Sequence, residues 1–263
     1  MSKIAVAGKG GVGKTTLTAL LARTFAKRGQ SVIAVDADPA ACLGFALGLP
    51  PELQAKVTPI SEMSDLIEER TGAKPGSYGT YFKINPRVDD IPERFSVQFQ
   101  GVRLLRLGTI EHGGSGCICP ESAMLKALVS YLILQSDEQL LLDMDAGLEN
   151  LGRATASAVD NFLVVVEPGK RSMEIAHQIA KLAADVGIKT VALIANKVRG
   201  EDDLHFIEDN RGTLPLLGYL SFQPAAIQAD QDGASIYDSV PQLVRETEII
   251  LDMLQRITSD LPV

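Results

Sequence analysis

The amino-acid sequence predicts one α/β domain over residues 1–263, built as three α/β/α layers around a mostly parallel central sheet. The chain has 263 residues, 46% of them hydrophobic, which is enough to bury a full core. Short apolar runs alternate with amphipathic helices, as is typical of parallel sheets covered by helices. The first apolar run leads through a glycine-rich turn directly into a helix. These observations favour one domain over two smaller ones.

The elements follow from hydrophobic periodicity and from end signals. Helices are predicted where apolar residues recur every three or four positions, and strands where apolar residues run together. In the helix that Gly187 ends, for example, Ile175, Ile179, Leu182 and Ala183 share one face. After a first strand and a helix that ends at Gly29, we predict strands at 31–35, 96–100, 102–107, 140–143, 162–166, 190–195 and 216–220, with helices at 61–70, 120–135, 175–186 and 241–257.

Residues 3–16 carry the clearest functional motif, KIAVAGKGGVGKTT. Gly8 to Thr15 fit the pattern G-x-x-x-x-G-K-[ST], in which backbone N–H groups and a helix N-terminus surround the phosphates of a nucleotide. Lys14 should reach the β- and γ-phosphates, and the Thr15 hydroxyl should complete the coordination of Mg²⁺. A chance glycine loop is the alternative. The predicted nucleotide-binding residues are Gly8, Lys9, Gly10, Gly11, Val12, Gly13, Lys14, Thr15 and Thr16.

A second lysine, Lys9, follows the first glycine of this P-loop and gives the spelling GKGGVGKT. Lys9 is poorly placed to add charge to its own phosphates. The spelling resembles the deviant P-loop of the ATPases that include ParA, MinD, the nitrogenase iron protein and the nickel-insertion ATPases. The resemblance implies that the extra lysine reaches the nucleotide of a neighbouring subunit, and therefore that the protein is a homodimer.

Carboxylates follow two of the predicted strands. Asp36 and Asp38 come after the strand at 31–35, in a DxDP element that resembles switch I of the same ATPases. The resemblance implies that Asp38 orients the water that attacks the γ-phosphate, and we assign Asp36 to the Mg²⁺ shell. A turn and a helix cap are the alternative for both. Asp143 ends an apolar strand, as does the Walker B aspartate that holds Mg²⁺ in P-loop proteins.

Cys117 and Cys119 lie two residues apart in a glycine-rich turn before the helix predicted at 120–135. A closed tetrahedral site usually needs four ligands, so a two-fold dimer with one pair from each subunit could form a Cys₄ site for Ni²⁺ or Zn²⁺. Two ordinary thiols are the alternative, and His112 is a doubtful third ligand. The remaining cysteine, Cys42, is expected to be a buried core residue.

The P-loop, the G-x-C-x-C-P-E turn and the segment DMDAGLENLGRATA at 143–156 together resemble the CooC-type ATPases. The resemblance implies an ATPase that uses Mg²⁺, binds a metal between two subunits and assists nickel insertion into carbon monoxide dehydrogenase or acetyl-CoA synthase. It also implies that residues 144–153 form switch II. Asp145 and Asn150 depart from the glutamate and histidine common there.

The base of the nucleotide is predicted to be adenine. Asn196 follows the strand at 190–195, and Arg199 stands where a GTPase usually has the aspartate that reads guanine. The resemblance implies that Asn196 recognises the base, and the loop at 222–225 is expected to cover its other face.

Composition limits the partners. The net charge of −8 argues against nucleic-acid binding, which depends on clustered lysine and arginine. No apolar run approaches the roughly 20 residues of a membrane span, and no signal peptide is visible, so we expect a cytoplasmic protein without a membrane partner. Two other functions stay open: an ATP-gated iron–sulfur carrier, and a positioning ATPase like ParA or MinD. The loop at 72–93 is either functional or mobile.

Overall fold

The computed structural model describes residues 2–77, 80–108, 119–144, 158–188 and 190–259. In this part of the chain, eight strands form one sheet with the order β3-β4-β2-β5-β1-β6-β7-β8. All neighbouring strands are parallel except β3 and β4, which form an antiparallel hairpin at one edge. The mostly parallel sheet predicted from the sequence is therefore confirmed.

Most of the strands are connected by helices. The strands are β1 Lys3–Gly8, β2 Val32–Asp36, β3 Val97–Phe99, β4 Val102–Arg106, β5 Gln139–Asp143, β6 Asn161–Val166, β7 Val191–Val198 and β8 Leu216–Ser221. The helices are α1 Lys14–Lys27, α2 Leu43–Ala46, α3 Pro51–Gln54, α4 Ser64–Thr71, α5 Ile91–Phe95, α6 Pro120–Gln135, α7 Lys170–Asp185, α8 Glu201–Asn210, α9 Pro224–Gln231, α10 Ile236–Ser239 and α11 Pro241–Ser259.

The sheet separates two apolar cores, because successive side chains of a strand point to opposite faces. In β1, Ala5 and Ala7 pack in the core that α6, α7 and α8 cover, whereas Ile4 and Val6 pack in the core that α1 and α11 cover. Both faces are covered, so β1, β2, β5 and β6 are buried along their whole length. The three-layer α/β/α fold is confirmed.

Several element bounds differ from the prediction. The helix predicted at 61–70 begins only at Ser64, because residues 60–62 form a short 3₁₀ turn. The buried stripe of α7 is Met173, Ala176, Ile179 and Ala183, and Leu182 is 51% exposed. The buried face of α7 is therefore rotated slightly around the helix axis relative to the predicted face. The described residues of the predicted loop at 72–93 form no helix or strand before α5, which begins within the loop, and Val88 and Ile91 are buried in the core.

None of the helices in the described ranges is long and apolar enough to cross a membrane.

Candidate functional site

The P-loop connects the centre of the sheet to α1. It leaves β1 at Gly8, which pairs with Val165 of β6. A Cβ atom at Gly8 would lie 2.5 Å from the Val165 carbonyl oxygen, and one at Gly13 would lie 2.1 Å from Nδ2 of Asn196. Both glycines have positive φ angles, of 150° and 99°. Only glycine fits these two positions, so the loop can follow this tight path against its neighbours.

The N-terminus of α1 is open to an anion. Its N-cap residue, Gly13, provides no side-chain cap, and the first turn contains no acidic residue. The first N–H groups of a helix need acceptors from outside the helix, and the positive end of the helix dipole favours a negative charge there. Lys14 lies at this end and is 6% exposed. The arrangement suits the phosphate groups of a nucleotide.

Two carboxylates meet beside the P-loop, because β2 and β5 are parallel neighbours with Asp36 opposite Asp143. Asp143 is completely buried; its Oδ1 lies 3.4 Å from the Thr18 hydroxyl, which donates to it, and its Oδ2 has no hydrogen-bond partner among the described residues. Burial raises the pKa of Asp143 to about 7, although the neighbouring Thr15 hydroxyl and the Lys14 ammonium group lower it. A buried carboxylate oxygen without a partner needs a cation or a donor.

Asp36 is also buried, but both of its oxygens accept hydrogen bonds. Oδ2 accepts from the Leu43 N–H group at 3.0 Å, and Oδ1 accepts from the Asp38 N–H group at 3.3 Å. Burial raises the pKa of Asp36 to about 6, and these two hydrogen bonds oppose the rise. Asp36 therefore shapes the turn after β2 and accepts from the first residue of α2, as expected from the alternative of a turn and a helix cap.

The donor set fits Mg²⁺. No three Asp, Glu, His or Cys side chains in the described ranges form a metal-binding group by themselves. Mg²⁺ is usually bound through one or two carboxylates together with substrate phosphates and water, so Asp143 with the Thr15 hydroxyl matches its needs. Asp36 could support this shell from the adjacent strand. When bound with ATP, the ion would neutralise charge on the β- and γ-phosphates.

Asp38 reaches the phosphate end of the site. Its Oδ2 atom lies 3.7 Å from Nζ of Lys14, and its Oδ1 accepts the Ala40 N–H group at 2.8 Å. The side chain is 17% exposed. Lys14 and Asp38 therefore form an ion pair where the terminal phosphate is expected, and phosphate binding to Lys14 would compete with that pair.

A cavity of about 460 Å³ extends from the P-loop between β7, β8 and α9. Gly13 and Thr16 line one side, and Phe222 and Ile227 line another. Its volume is in the range of sites for small molecules. Cys42 also lines it and is exposed, so the prediction of a buried Cys42 was wrong: Cys42 is the N-cap residue of α2 and lies on the cavity wall, whereas Leu43 and Leu47 of the same segment are buried in the core.

Asn196 lies at this cavity but also contacts the P-loop. Its Nδ2 donates to the Val12 carbonyl at 2.7 Å, and its Oδ1 accepts the Lys197 N–H group at 2.8 Å. The side chain is buried. In the structure described, Asn196 thus supports the shape of the P-loop, and recognition of the base stays a prediction.

Two charged residues that the sequence did not single out complete the outer face of the P-loop. Glu167, directly after β6, lies 3.5 Å from Lys9 and 3.6 Å from Lys197, measured from carboxylate oxygen to Nζ. Lys197 also donates to the Gly11 carbonyl at 2.6 Å. The signal that could have indicated Glu167 is its position directly after β6, a strand beside the P-loop strand.

Cys119 is the N-cap residue of α6. Its sulfur accepts a hydrogen bond from the Ser122 N–H group at 3.4 Å, and its side chain is partly exposed. Glu121, in the first turn, is buried, and its Oε1 accepts the Gly76 N–H group at 2.7 Å. Cys117, His112 and the switch II segment after Met144 lie outside the described residues. The structure therefore fixes the helix that follows the cysteine pair.

The stability of the metal-free and nucleotide-free protein should depend on pH through the titration of Asp143. The pKa of Asp143 is about 7 in the folded state and has its ordinary value of 3.8 in the unfolded state, so the folded state holds more protons than the unfolded state between these pH values. The free energy of unfolding must then fall as pH rises through this window. Asp143→Asn mimics the neutral form, so it should match the wild type near pH 4 and exceed it near pH 8, by at most about 4 kcal/mol.

Urea unfolding of both proteins at a series of pH values, with a metal chelator present, measures this difference. Parallel stability profiles for the wild type and Asp143→Asn would contradict it. Adding Mg²⁺ and ADP at pH 8 should stabilise the wild type more than the variant, because only the wild type retains the carboxylate ligand.

The fold and the site define a nucleotide-binding protein of the P-loop class. A glycine loop with an open helix N-terminus, a lysine at its end and a buried aspartate on the adjacent strand provide the phosphate and Mg²⁺ contacts that this class requires.

Comparison with known proteins identifies the family. Residues 3–236 match the CbiA family, the CobQ/CobB/MinD/ParA nucleotide-binding domain. The carbon monoxide dehydrogenase accessory protein CooC of Rhodospirillum rubrum is 49% identical over 239 residues, covering 91% of this chain and 90% of that protein. An ATP-binding protein of Methanocaldococcus jannaschii is 46% identical over 237 residues, covering 89% and 90%. The chain belongs to the CobQ/CobB/MinD/ParA family, and it is an ATPase.

A solved structure agrees with this fold. The ParA family ATPase from Chlorobium tepidum resembles the chain with a TM-score of 0.68 at 17% identity, covering 97% of this chain and 99% of that one. The likeness concerns the fold alone.

Proposed function

We propose that the protein is a homodimeric ATPase that binds Ni²⁺ between its subunits and assists nickel insertion into carbon monoxide dehydrogenase or acetyl-CoA synthase. The observation that carries this proposal is the 49% identity with CooC, a carbon monoxide dehydrogenase accessory protein, over 91% of the chain. Fold alone would not support it, because related folds host many functions. The Cys-x-Cys motif before α6 adds the metal chemistry.

ATP is proposed to close the dimer. The phosphates would bind at the N-terminus of α1, with Lys14 of the same protomer and Lys9 of the partner on either side. The buried Asp143 and the Thr15 hydroxyl would hold Mg²⁺. Once the γ-phosphate replaces Asp38 as the partner of Lys14, Asp38 would be available to orient the attacking water. Cleavage of the γ-phosphate would remove the group that draws Lys9 across, so the dimer would loosen after each turnover.

The metal site is proposed to depend on that closure. One protomer contributes only Cys117 and Cys119, and four thiolates complete a tetrahedral site when two protomers meet. Cys119 is the N-cap residue of α6, so a movement of α6 would also move Cys119. A thiolate cage also suits Zn²⁺, and purified protein is therefore expected to carry zinc unless it is depleted.

Nickel binding should therefore depend on the nucleotide. We expect the Ni²⁺ affinity of the zinc-depleted protein to differ by at least about fivefold between the ADP-bound and ATP-bound states, because binding and closure share one equilibrium. Competition against a colorimetric chelator, without nucleotide, with ADP and with a non-hydrolysable ATP analogue, measures the three affinities. Adding the analogue to Lys9→Ala protein provides the control, since that variant should keep the affinity of the open state.

Equal Ni²⁺ affinity in all three states of the wild type would contradict the coupling. Iron–sulfur absorption in protein purified without oxygen would instead favour a cluster carrier. DNA or vesicle binding that requires ATP would favour a positioning ATPase.

A further inference from the structure

Lys9, the lysine proposed to act on the partner's nucleotide, is held by its own protomer in the structure described. Its Nζ lies 3.5 Å from Oε1 of Glu167. The two side chains are 36% and 31% exposed, so water reaches the pair and the contact can exchange. Before Lys9 can reach the nucleotide of another subunit, its ammonium group must therefore separate from Glu167, its counter-ion in the same protomer.

The backbone makes this contact a built feature of the fold. Gly8 pairs with Val165 in adjacent parallel strands, and the close approach of their backbones leaves no room for a side chain at Gly8. Lys9 is the next residue of one strand end and Glu167 is two residues beyond Val165 in the other, so both emerge at the same edge. The Glu167 N–H group donates to the Ser172 hydroxyl at 3.0 Å, which fixes the backbone below the carboxylate.

A second lysine shares the carboxylate. Nζ of Lys197 lies 3.6 Å from Oε2 of Glu167 and donates to the Gly11 carbonyl at 2.6 Å. Lys197 has a φ angle of 57°, a left-handed conformation that costs energy for a residue with a side chain. The hydrogen bonds of Asn196 to Val12 and to the Lys197 N–H group hold this turn against the P-loop. Glu167 thus lies between two ammonium groups, and that of Lys197 is also hydrogen-bonded to the Gly11 carbonyl.

We propose that Glu167 is a positioning residue that retains Lys9 on its own protomer until ATP draws the dimer closed. Lys9 cannot bind Glu167 and a phosphate of the partner at the same time, so breaking the pair enters the equilibrium of dimer closure. This inference rests on the proposed ATP-closed dimer. It adds that the nucleotide-free protomer opposes closure, and that Lys197 takes over the carboxylate when Lys9 leaves.

Glu167→Gln tests the retention, because it keeps the size of the side chain and removes its charge. A partly exposed ion pair is weak, so dimer formation with a non-hydrolysable ATP analogue should need about two- to fivefold less protein than in the wild type. Sedimentation velocity over a concentration series measures this. Glu174→Gln, an exposed residue of α7, removes the same charge away from Lys9 and should behave as the wild type.

The reactivity of the Lys9 amine tests the same ion pair directly. In the absence of nucleotide, acetylation of Lys9 by a soluble amine reagent, quantified by peptide mass spectrometry, should be at least about twofold faster in Glu167→Gln than in the wild type or in Glu174→Gln, because the ammonium group loses its partner. Thermal unfolding of all three proteins checks that the fold is unchanged.

The outcomes separate this inference from the proposed function. If the wild type stays monomeric with every ATP analogue, the ATP-closed dimer is wrong and the retention proposal falls with it. If the wild type dimerises and Lys9→Ala does not, the dimer stands; Glu167→Gln that then matches Glu174→Gln in both dimerisation and Lys9 labelling would overturn the retention proposal alone.

Discussion

Asp38→Asn is expected to lower kcat for ATP hydrolysis by at least about a hundredfold while the Kd for ATP changes little, because a residue that positions and activates the attacking group acts on turnover. Asparagine keeps the shape of the side chain and can still accept the Ala40 N–H group at the position of Oδ1. It lacks the negative charge that now lies 3.7 Å from the Lys14 ammonium group. Steady-state phosphate release and equilibrium binding of a fluorescent ATP analogue measure the two quantities.

The ion pair between Lys14 and Asp38 sharpens this prediction. Nucleotide phosphates must compete with Asp38 for Lys14, so removing the charge of Asp38 should leave ATP affinity equal to or slightly higher than in the wild type. Asp185→Asn, at the exposed end of α7, is the matched control and should hydrolyse ATP at the wild-type rate. Wild-type turnover in Asp38→Asn would remove Asp38 from the mechanism, and loss of ATP binding would assign it to the binding site instead.

The double variant Cys117→Ala/Cys119→Ala is expected to lose the intersubunit metal completely. Without thiolates, neither Ni²⁺ nor Zn²⁺ has a ligand set at the proposed site. Metal analysis after gel filtration should give less than about a tenth of the wild-type content, because a structural thiolate site binds its ion far more tightly than surface groups do. ATP binding should persist, since the P-loop and Asp143 lie on other elements.

Cys42→Ala provides the matched control for the metal content. It also removes a thiol, but Cys42 lies at the nucleotide cavity and not before α6, so this variant should retain the metal. Full metal content in the double variant would show that Cys117 and Cys119 are ordinary thiols. Loss of metal in Cys42→Ala would place a metal ligand outside the Cys117/Cys119 pair and would reject the proposed site.

The phosphate site could be predicted because its signals are local in sequence. Gly8 to Thr15 form one continuous motif, and Asp36 and Asp143 each end an apolar strand, so the parallel sheet brings them together without further information. The sheet order itself was not predicted in detail. The tasks of single atoms could be predicted only in part: the bond from the Asp38 N–H group to Asp36 follows the spacing of an Asx turn, whereas the bond from the Leu43 N–H group, seven residues later, follows no local spacing rule.

The features that could not be predicted from the sequence depend on contacts between distant segments of the chain. Glu167 and Lys197 contact the P-loop because β6 and β7 end near it. Neither residue belongs to a local sequence motif that would indicate this contact. The exposure of Cys42 and of Leu182 depends on how a short segment turns and on the rotation of a helix by a fraction of a turn. Periodicity predicts which side of a helix is apolar, but it locates the edge of that side poorly.

The hydrogen bond between Glu121 and Gly76 joins two segments that lie 45 residues apart in the chain. It fastens the first turn of α6 to the bend at 74–77, so a force applied to either segment is transmitted to the other. Because Cys119 is the N-cap residue of the same helix, a displacement of the turn at 74–77 would also move the Cys119 sulfur.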